Sequence, residues 1–297
     1  MTRFALADGT PLQIVRRGDP AAPVTVVFVH GYALDQRSWS RIAPLVPDAA
    51  EGPVAVLTYD QRGHGGSGRA RRRTATMSQL GDDLAELLER EVPAGRVVLV
   101  GHDMGGLAIM SLSQRHPALF RARVSGLALL ATSSGKLATE VSATWPNALG
   151  KLARDLEAVL GSKLFGVVHE HTSRAVSAGL RWWLFGDDPE PDLVELTVQM
   201  IRGNWPHTVS LFRPALDAYA RDAALAQVSG VPVTAIVGER DRIVRAGDVE
   251  QWVGGLEEGT AVVLPGVGHV VPLEAAPQVL PRVVALVNAS YRQDQDS

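Results

Sequence analysis

The stretch Val97-Val98-Leu99-Val100-Gly101-His102-Asp103-Met104-Gly105-Gly106 decides how this chain folds. Its first four residues are an apolar, mostly β-branched run of the kind that forms a buried strand. From Leu107 to His116 the sequence is compatible with a helix, and Pro117 stops it. A strand, a Gly-x-Asp-x-Gly turn and a helix spell a nucleophile elbow, whose small flanking residues permit a sharp reversal. Such a turn lifts the central side chain clear of the backbone at the mouth of a helix. Unpaired N–H groups and the helix dipole favour negative charge there. Where serine is usual, this chain carries the carboxylate of Asp103.

Strand and helix signals alternate on either side of the elbow. Asp8-Gly9 reads as a hairpin turn between Phe4-Ala5-Leu6 and Leu12-Gln13-Ile14-Val15. Buried-type strands are expected at Val24–Val29, Val54–Tyr59, Leu127–Ala131, Val233–Val237 and Ala261–Leu264. Helical patterns lie between most of them; in Met77 to Glu91, residues Leu80, Leu84, Leu87 and Leu88 share one face. The rhythm predicts an α/β protein with a mostly parallel central sheet flanked by helices. It breaks between about Ser133 and Arg221, where four of the six tryptophans gather: Trp145, Trp182, Trp183 and Trp205. We therefore expect an α/β core over 1–132 and 222–297, interrupted by a helical lid over 133–221. Such a lid would cover the C-terminal edge of the sheet, where open α/β sheets bind ligands.

Composition narrows the function classes. A chain of 297 residues with 46% hydrophobic content can bury a large core. The net charge of −3 suggests no nucleic-acid partner. The run Arg69-Ala70-Arg71-Arg72-Arg73 has no interleaved aromatics and reads as a solvated loop. With no cysteine, disulfides, thiolate metal sites and cysteine nucleophiles are excluded. No run approaches the roughly 20 apolar residues of a membrane span. Met1-Thr2-Arg3-Phe4 lacks an apolar signal core, so a cytoplasmic protein without a membrane partner is expected. His169-Glu170-His171 is too weak a spacing to carry a metal site, and nothing else calls for a metal or cofactor.

Two more loops supply the groups that an elbow nucleophile needs. Gly238-Glu239-Arg240-Asp241 follows the strand Val233–Val237, and Pro265-Gly266-Val267-Gly268-His269 follows Ala261–Leu264. The chain order is then nucleophile Asp103, acid Asp241 and histidine His269, each just past the C-terminal end of a strand. Glu239 is the backup acid.

With His30-Gly31, Asp60-Gln61-Arg62-Gly63-His64-Gly65, the elbow and these two loops, the chain resembles α/β-hydrolase fold proteins over nearly its full length. Its Gly-His-Asp-x-Gly elbow resembles that of the aspartate-nucleophile, epoxide hydrolase-like branch, while Arg37-Ser38-Trp39 and Asp60-Gln61-Arg62 resemble general bacterial serine hydrolases. The resemblance implies an oxyanion hole at the backbone N–H groups of Tyr32 and Met104. It also implies scaffolding roles for His30 and His64, and His102 reads as a packing residue.

An aspartate nucleophile selects the reaction. Carboxylates are ionised at neutral pH and need no base to activate them, unlike a serine hydroxyl. Attack on an acyl carbon would give a readily reversed anhydride, whereas attack on an sp3 carbon gives a stable alkyl ester. His269, oriented by Asp241, could then activate water against that ester. Epoxides and alkyl halides both fit this chemistry. A departing halide needs N–H donors, and Met104, which follows the nucleophile, brings no side-chain donor. An epoxide oxygen needs a donor from the lid, for which Trp182, Trp183, Tyr219 and His207 are candidates. Adjacent tryptophans would also favour a bulky or aromatic small-molecule substrate. The expectation is an epoxide hydrolase. A dehalogenase, another non-esterase hydrolase of this fold, or a catalytically silent ligand-binding homologue remain as alternatives.

Overall fold

A computed structural model describes residues 1–133, 174–204, 206–219, 228 and 230–295. Strands β1 (Thr2–Ala5), β2 (Pro11–Gly18), β3 (Val24–Val29), β4 (Val54–Tyr59), β5 (Arg96–His102), β6 (Val124–Leu130), β7 (Val233–Gly238) and β8 (Gly259–Leu264) form one sheet. Their order is β1-β2-β4-β3-β5-β6-β7-β8. β2 runs antiparallel to both β1 and β4, and every other pair is parallel.

The alternation of side chains along the central strands builds two apolar layers. Val27, Val29, Leu99 and Leu127 face Leu84, Leu88 and Ile109 of the helices Met77–Glu91 and Met104–Arg115. Val26, Phe28, Val98 and Val100 face the other way, onto Val279 and Val283 of the helix Ala276–Gln295. All six residues of β3 are buried, as the continuous apolar run implies for a strand covered on both faces. Arg62, in the loop after β4, braces one side of the sheet. Its guanidinium donates to both Asp83 carboxylate oxygens at 2.7 Å and to Asp8 at 2.7 Å.

Topology fixes where a site can form. From β3 the chain steps outward to β4, then crosses back to pair β5 on the opposite side of β3. The direction of winding therefore reverses between β3 and β5, and a crevice opens at their C-terminal ends. Val29 is in register with Gly101 there, so the loops carrying Gly31-Tyr32 and Asp103 leave the sheet side by side.

The interruption of the alternation lies between β6 and β7. Its described residues form the helices Arg174–Leu184, Pro191–Gly203, Pro206–Ser210 and Arg213–Ala218, with no strand among them. Phe185, Leu193, Met200, Ile201 and Val209 pack together with Ala33, Leu34, Val270 and Leu273 of the core. The helical insertion thus sits on the loops after β3 and β8. The expected boundary at Arg221, Trp145, Trp205 and His169-Glu170-His171 fall outside the described residues. No helix among the described residues is long and apolar enough to cross a membrane.

Candidate active site

Asp103 occupies a strained corner. Its backbone stands at φ 48°, ψ −115°, between the end of β5 and the helix starting at Met104. For a non-glycine residue such a conformation costs on the order of 1–3 kcal/mol and persists only where its surroundings over-determine it. Here Asp103 N–H donates to Leu130 C=O of β6 at 2.9 Å, while its own C=O accepts from Gly106 N–H at 3.0 Å. Gly105 lets the helix begin directly against β3: a Cβ there would lie 2.0 Å from the Val29 carbonyl oxygen. The helix consequently starts three residues earlier than the run from Leu107 suggested, because the tight turn, not helix propensity, sets its beginning.

The Asp103 carboxylate is only 9% exposed. Its Oδ2 accepts the backbone N–H of Tyr32 at 3.0 Å. Among the described residues this is the carboxylate's one hydrogen bond, and none joins it to Met104. Of the two expected oxyanion donors, Tyr32 reaches the carboxylate in this state and Met104 does not. Ala33, the next residue, holds a left-handed φ of 60°.

His269 and Asp241 meet as their order in the sequence suggested. His269 Nδ1–H donates to Asp241 Oδ2 at 2.9 Å, and Asp241 Oδ1 accepts Ile243 N–H and Val244 N–H at 2.8 and 2.9 Å. Asp241 is thereby both a turn-former and the partner of the histidine. Glu239 instead accepts Gly266 N–H on the surface. Burial disfavours charge on His269, but the ion pair and hydrogen bond with Asp241 outweigh it. Asp103 and Glu274 add to that, and the imidazole is raised to about 9. Burial pushes Asp241 up, yet the charge and hydrogen bond of His269 and the two amides hold it below its ordinary value. The stability contributed by the raised histidine is complete below its ordinary value of 6.5 and disappears as pH rises through about 9. Asp103 acts on His269 through its charge, with no hydrogen bond between the two side chains among the described residues.

Two residues that the sequence did not mark, Asn204 and Glu274, and one that it marked only for packing, His102, hold this arrangement. His102 Nε2–H donates to the His269 carbonyl at 2.9 Å, so its role is more than packing. Burial and the neighbouring His269 charge depress His102 to about 4 and keep it neutral. Asn204 ends the helix Pro191–Gly203 and is buried. Its Nδ2 donates to Ala33 C=O at 2.7 Å and Met200 C=O at 2.8 Å, and its Oδ1 accepts Gly65 N–H at 2.8 Å. Glu274 gathers three backbone N–H groups around the His269 loop. His30 fits its scaffolding role: Nε2 accepts Gln61 N–H at 2.8 Å and Nδ1 donates to Gly31 C=O at 2.8 Å. His64 is buried between His30, Tyr32 and Phe212. Asn204→Ala strips partners from the loop that carries Tyr32. It should cost on the order of 2–3 kcal/mol of stability, checked by chemical denaturation.

The donors expected from the insertion are arranged differently. Tyr219 O–H donates to Gln114 Oε1 at 2.7 Å. Gln114 lies near the far end of the helix that begins at Met104, about 15 Å along at 1.5 Å per residue. The phenol is thus engaged toward the far end of that helix, away from Asp103. Trp182 and Trp183 are 61% and 39% exposed, and Trp182 lies beneath the Arg242 guanidinium at 4.8 Å. No hydrogen bond or ring contact joins either tryptophan to Asp103, His269 or Tyr32. His207 lies in the helix Pro206–Ser210, and its side chain falls outside the described residues.

Comparison with known proteins agrees with this architecture. Residues 26–282 match the model of the alpha/beta hydrolase family. Epoxide hydrolase A of Mycobacterium tuberculosis is 37% identical over 129 residues, covering 43% of this chain and 37% of the relative. The dihydrolipoyllysine-residue acetyltransferase component of the acetoin cleaving system of Pseudomonas putida is 28% identical over 285 residues, covering 91% of this chain and 64% of the relative. The chain therefore spans less than two thirds of the length of either. A thermophilic esterase from Thermogutta terrifontis superposes with a TM-score of 0.73 at 22% identity, covering 98% of this chain and 99% of that one, a likeness of fold alone. With the family model covering most of the sheet and every loop of the site, the chain belongs to the alpha/beta hydrolase family.

Proposed function

We propose that this chain is a hydrolase that opens an epoxide to a diol through an alkyl ester on Asp103. One observation carries the reading. The oxyanion donor, Tyr32 N–H, already binds an oxygen of the nucleophile itself. A serine-type esterase needs that donor for the substrate's carbonyl oxygen. Here the donor instead sits on the atom that becomes the carbonyl oxygen of an aspartyl ester. The partial similarity to an epoxide hydrolase supports the same choice.

In the first step Asp103 Oδ1 attacks an epoxide carbon, the ring C–O bond breaks, and the released alkoxide oxygen takes a proton from solvent water. In the second, water adds to the Asp103 ester carbon while His269 accepts its proton. Tyr32 N–H stabilises the negative charge on Oδ2. Collapse then breaks the bond from the Asp103 carboxyl carbon to the substrate oxygen, which takes the proton back from His269 to leave as the diol. The carboxyl group releases its own proton to solvent. Forming the ester removes the Asp103 charge, one of the causes that hold His269 up. The same bond-forming event that creates the intermediate therefore shifts His269 toward the neutral form that its hydrolysis requires. The helical insertion serves as a lid over the crevice in this reading, and the tilted, exposed Trp182-Trp183 pair as an aromatic surface for a bulky or aromatic substrate.

Single turnover in heavy-oxygen water tests the route. The first diol released should be unlabelled, its new oxygen coming from Asp103, and later diols should carry label. Full labelling in the first turnover would mean direct attack by water and would overturn the ester mechanism. Chloride release from an alkyl chloride panel, with no epoxide turnover, would move the substrate to alkyl halides.

A further inference from the structure

Glu274 closes the short helix Val271–Glu274, just beyond His269. Its Oε2 accepts Gly186 N–H at 2.7 Å and Gly268 N–H at 3.0 Å, and its Oε1 accepts Val270 N–H at 3.1 Å. Gly268 and Val270 flank His269, whereas Gly186 belongs to the helical insertion. The two segments touch: a Cβ on Gly268 would stand 2.4 Å from the Gly186 nitrogen. The tie runs both ways, since Leu184 C=O of the insertion accepts His269 N–H at 2.8 Å and Val270 N–H at 3.3 Å. One carboxylate thus serves three backbone donors from two separate segments, more than a local helix end requires.

Its charge also acts on the histidine, whose two chain neighbours it binds. The charged or titratable groups acting on His269 are Asp241, Asp103 and Glu274, with His102 kept neutral beside it. Asp241 holds Nδ1, Asp103 is consumed in the ester, and the steps above assign nothing to Glu274. We propose that Glu274 is a positioning residue that fastens the His269 loop to the helical insertion and supplies the histidine with a second permanent negative charge. When the Asp103 charge is lost in the ester, Asp241 and Glu274 remain to stabilise the imidazolium that forms as water is deprotonated. Burial pushes the Glu274 carboxyl above its ordinary value, and the three amides and His269 oppose that rise.

The inference rests on His269 being the base of the second step, and the test separates the two. Glu274→Gln removes the charge and presents an amide to the same donors. In the ligand-free protein, nitrogen-15 NMR of the histidine rings should show the His269 titration displaced downward by roughly half a unit or more. At a pH above the His269 titration, where the imidazole is neutral in both proteins, single-turnover ester hydrolysis should slow several-fold while alkylation is unchanged. Glu274→Asp keeps the charge one methylene further away and should give a smaller displacement and partial recovery of the rate. It is read in place of the glutamine variant if that variant does not fold. An unchanged His269 titration in whichever variant is folded overturns the proposal. The titration needs no turnover, so normal activity of His269→Gln would sink the base assignment while leaving this measurement to judge Glu274.

Discussion

Asp103→Asn should fold, form no covalent adduct with an epoxide, and lose turnover by on the order of 10⁴-fold or more, as for other removed nucleophiles. Asparagine keeps the size of the side chain and an oxygen for Tyr32 N–H, so the 3.0 Å contact has a successor. What disappears is the anionic oxygen that attacks carbon. A second effect follows from electrostatics. The Asp103 charge is among the causes that raise His269 to about 9, and a neutral amide withdraws it. Removing a negative neighbour disfavours the imidazolium, so the His269 titration must move down. The two effects are read independently, by mass spectrometry after exposure to an epoxide panel and by histidine NMR. Adduct formation on the variant, or wild-type turnover, would exclude Asp103 as the nucleophile. An unmoved His269 titration would show that the two groups do not communicate across the site.

Much of this fold is written in local patterns. The apolar runs Val24–Val29 and Val54–Tyr59 are strands with those same ends, and Met77–Glu91 is a helix over that span. In each case periodicity and burial agree with the neighbouring turn residues. Where the pattern fell short, tertiary pairing decided. β5 continues past Val100 because Gly101 and His102 pair with Leu129 and Leu130 of β6, which no local preference of glycine or histidine reveals.

The site divides along the same line. Asp103, Asp241 and His269 could be named as candidates because each follows a strand, and strand ends are legible. Asn204, His102 and Glu274 could not. Their partners lie 171, 167 and 88 residues away and are backbone atoms, which carry no residue-specific signal. The aromatic donors show the converse limit. Tyr219, Trp182 and Trp183 are legible as residue types, but their direction is set by packing. A phenol bound to Gln114 is unavailable at the elbow whatever its chemistry would allow.

His269→Gln divides the reaction at its midpoint. Alkylation uses the carboxylate and needs no base, so the variant should consume one equivalent of epoxide rapidly. Hydrolysis of the ester needs a proton acceptor for water, so turnover should then stall, slowed on the order of 10²–10⁴-fold. The stalled protein should carry the mass of one opened substrate, mapped to the peptide containing Asp103. Asp241→Asn acts on the same step, because it weakens both the orientation of the ring and the charge that favours its protonation. The wild-type pH dependence adds a sign that can be checked. Water attack requires neutral imidazole, so the rate of the second step should rise with pH through the His269 titration of the esterified enzyme. That titration must lie below the value of about 9 for the ligand-free protein, since the ester has neutralised Asp103. A rising limb centred at or above that value would mean that the ester does not relieve the histidine. A variant His269→Gln that turns over at the wild-type rate would remove the histidine from the mechanism altogether.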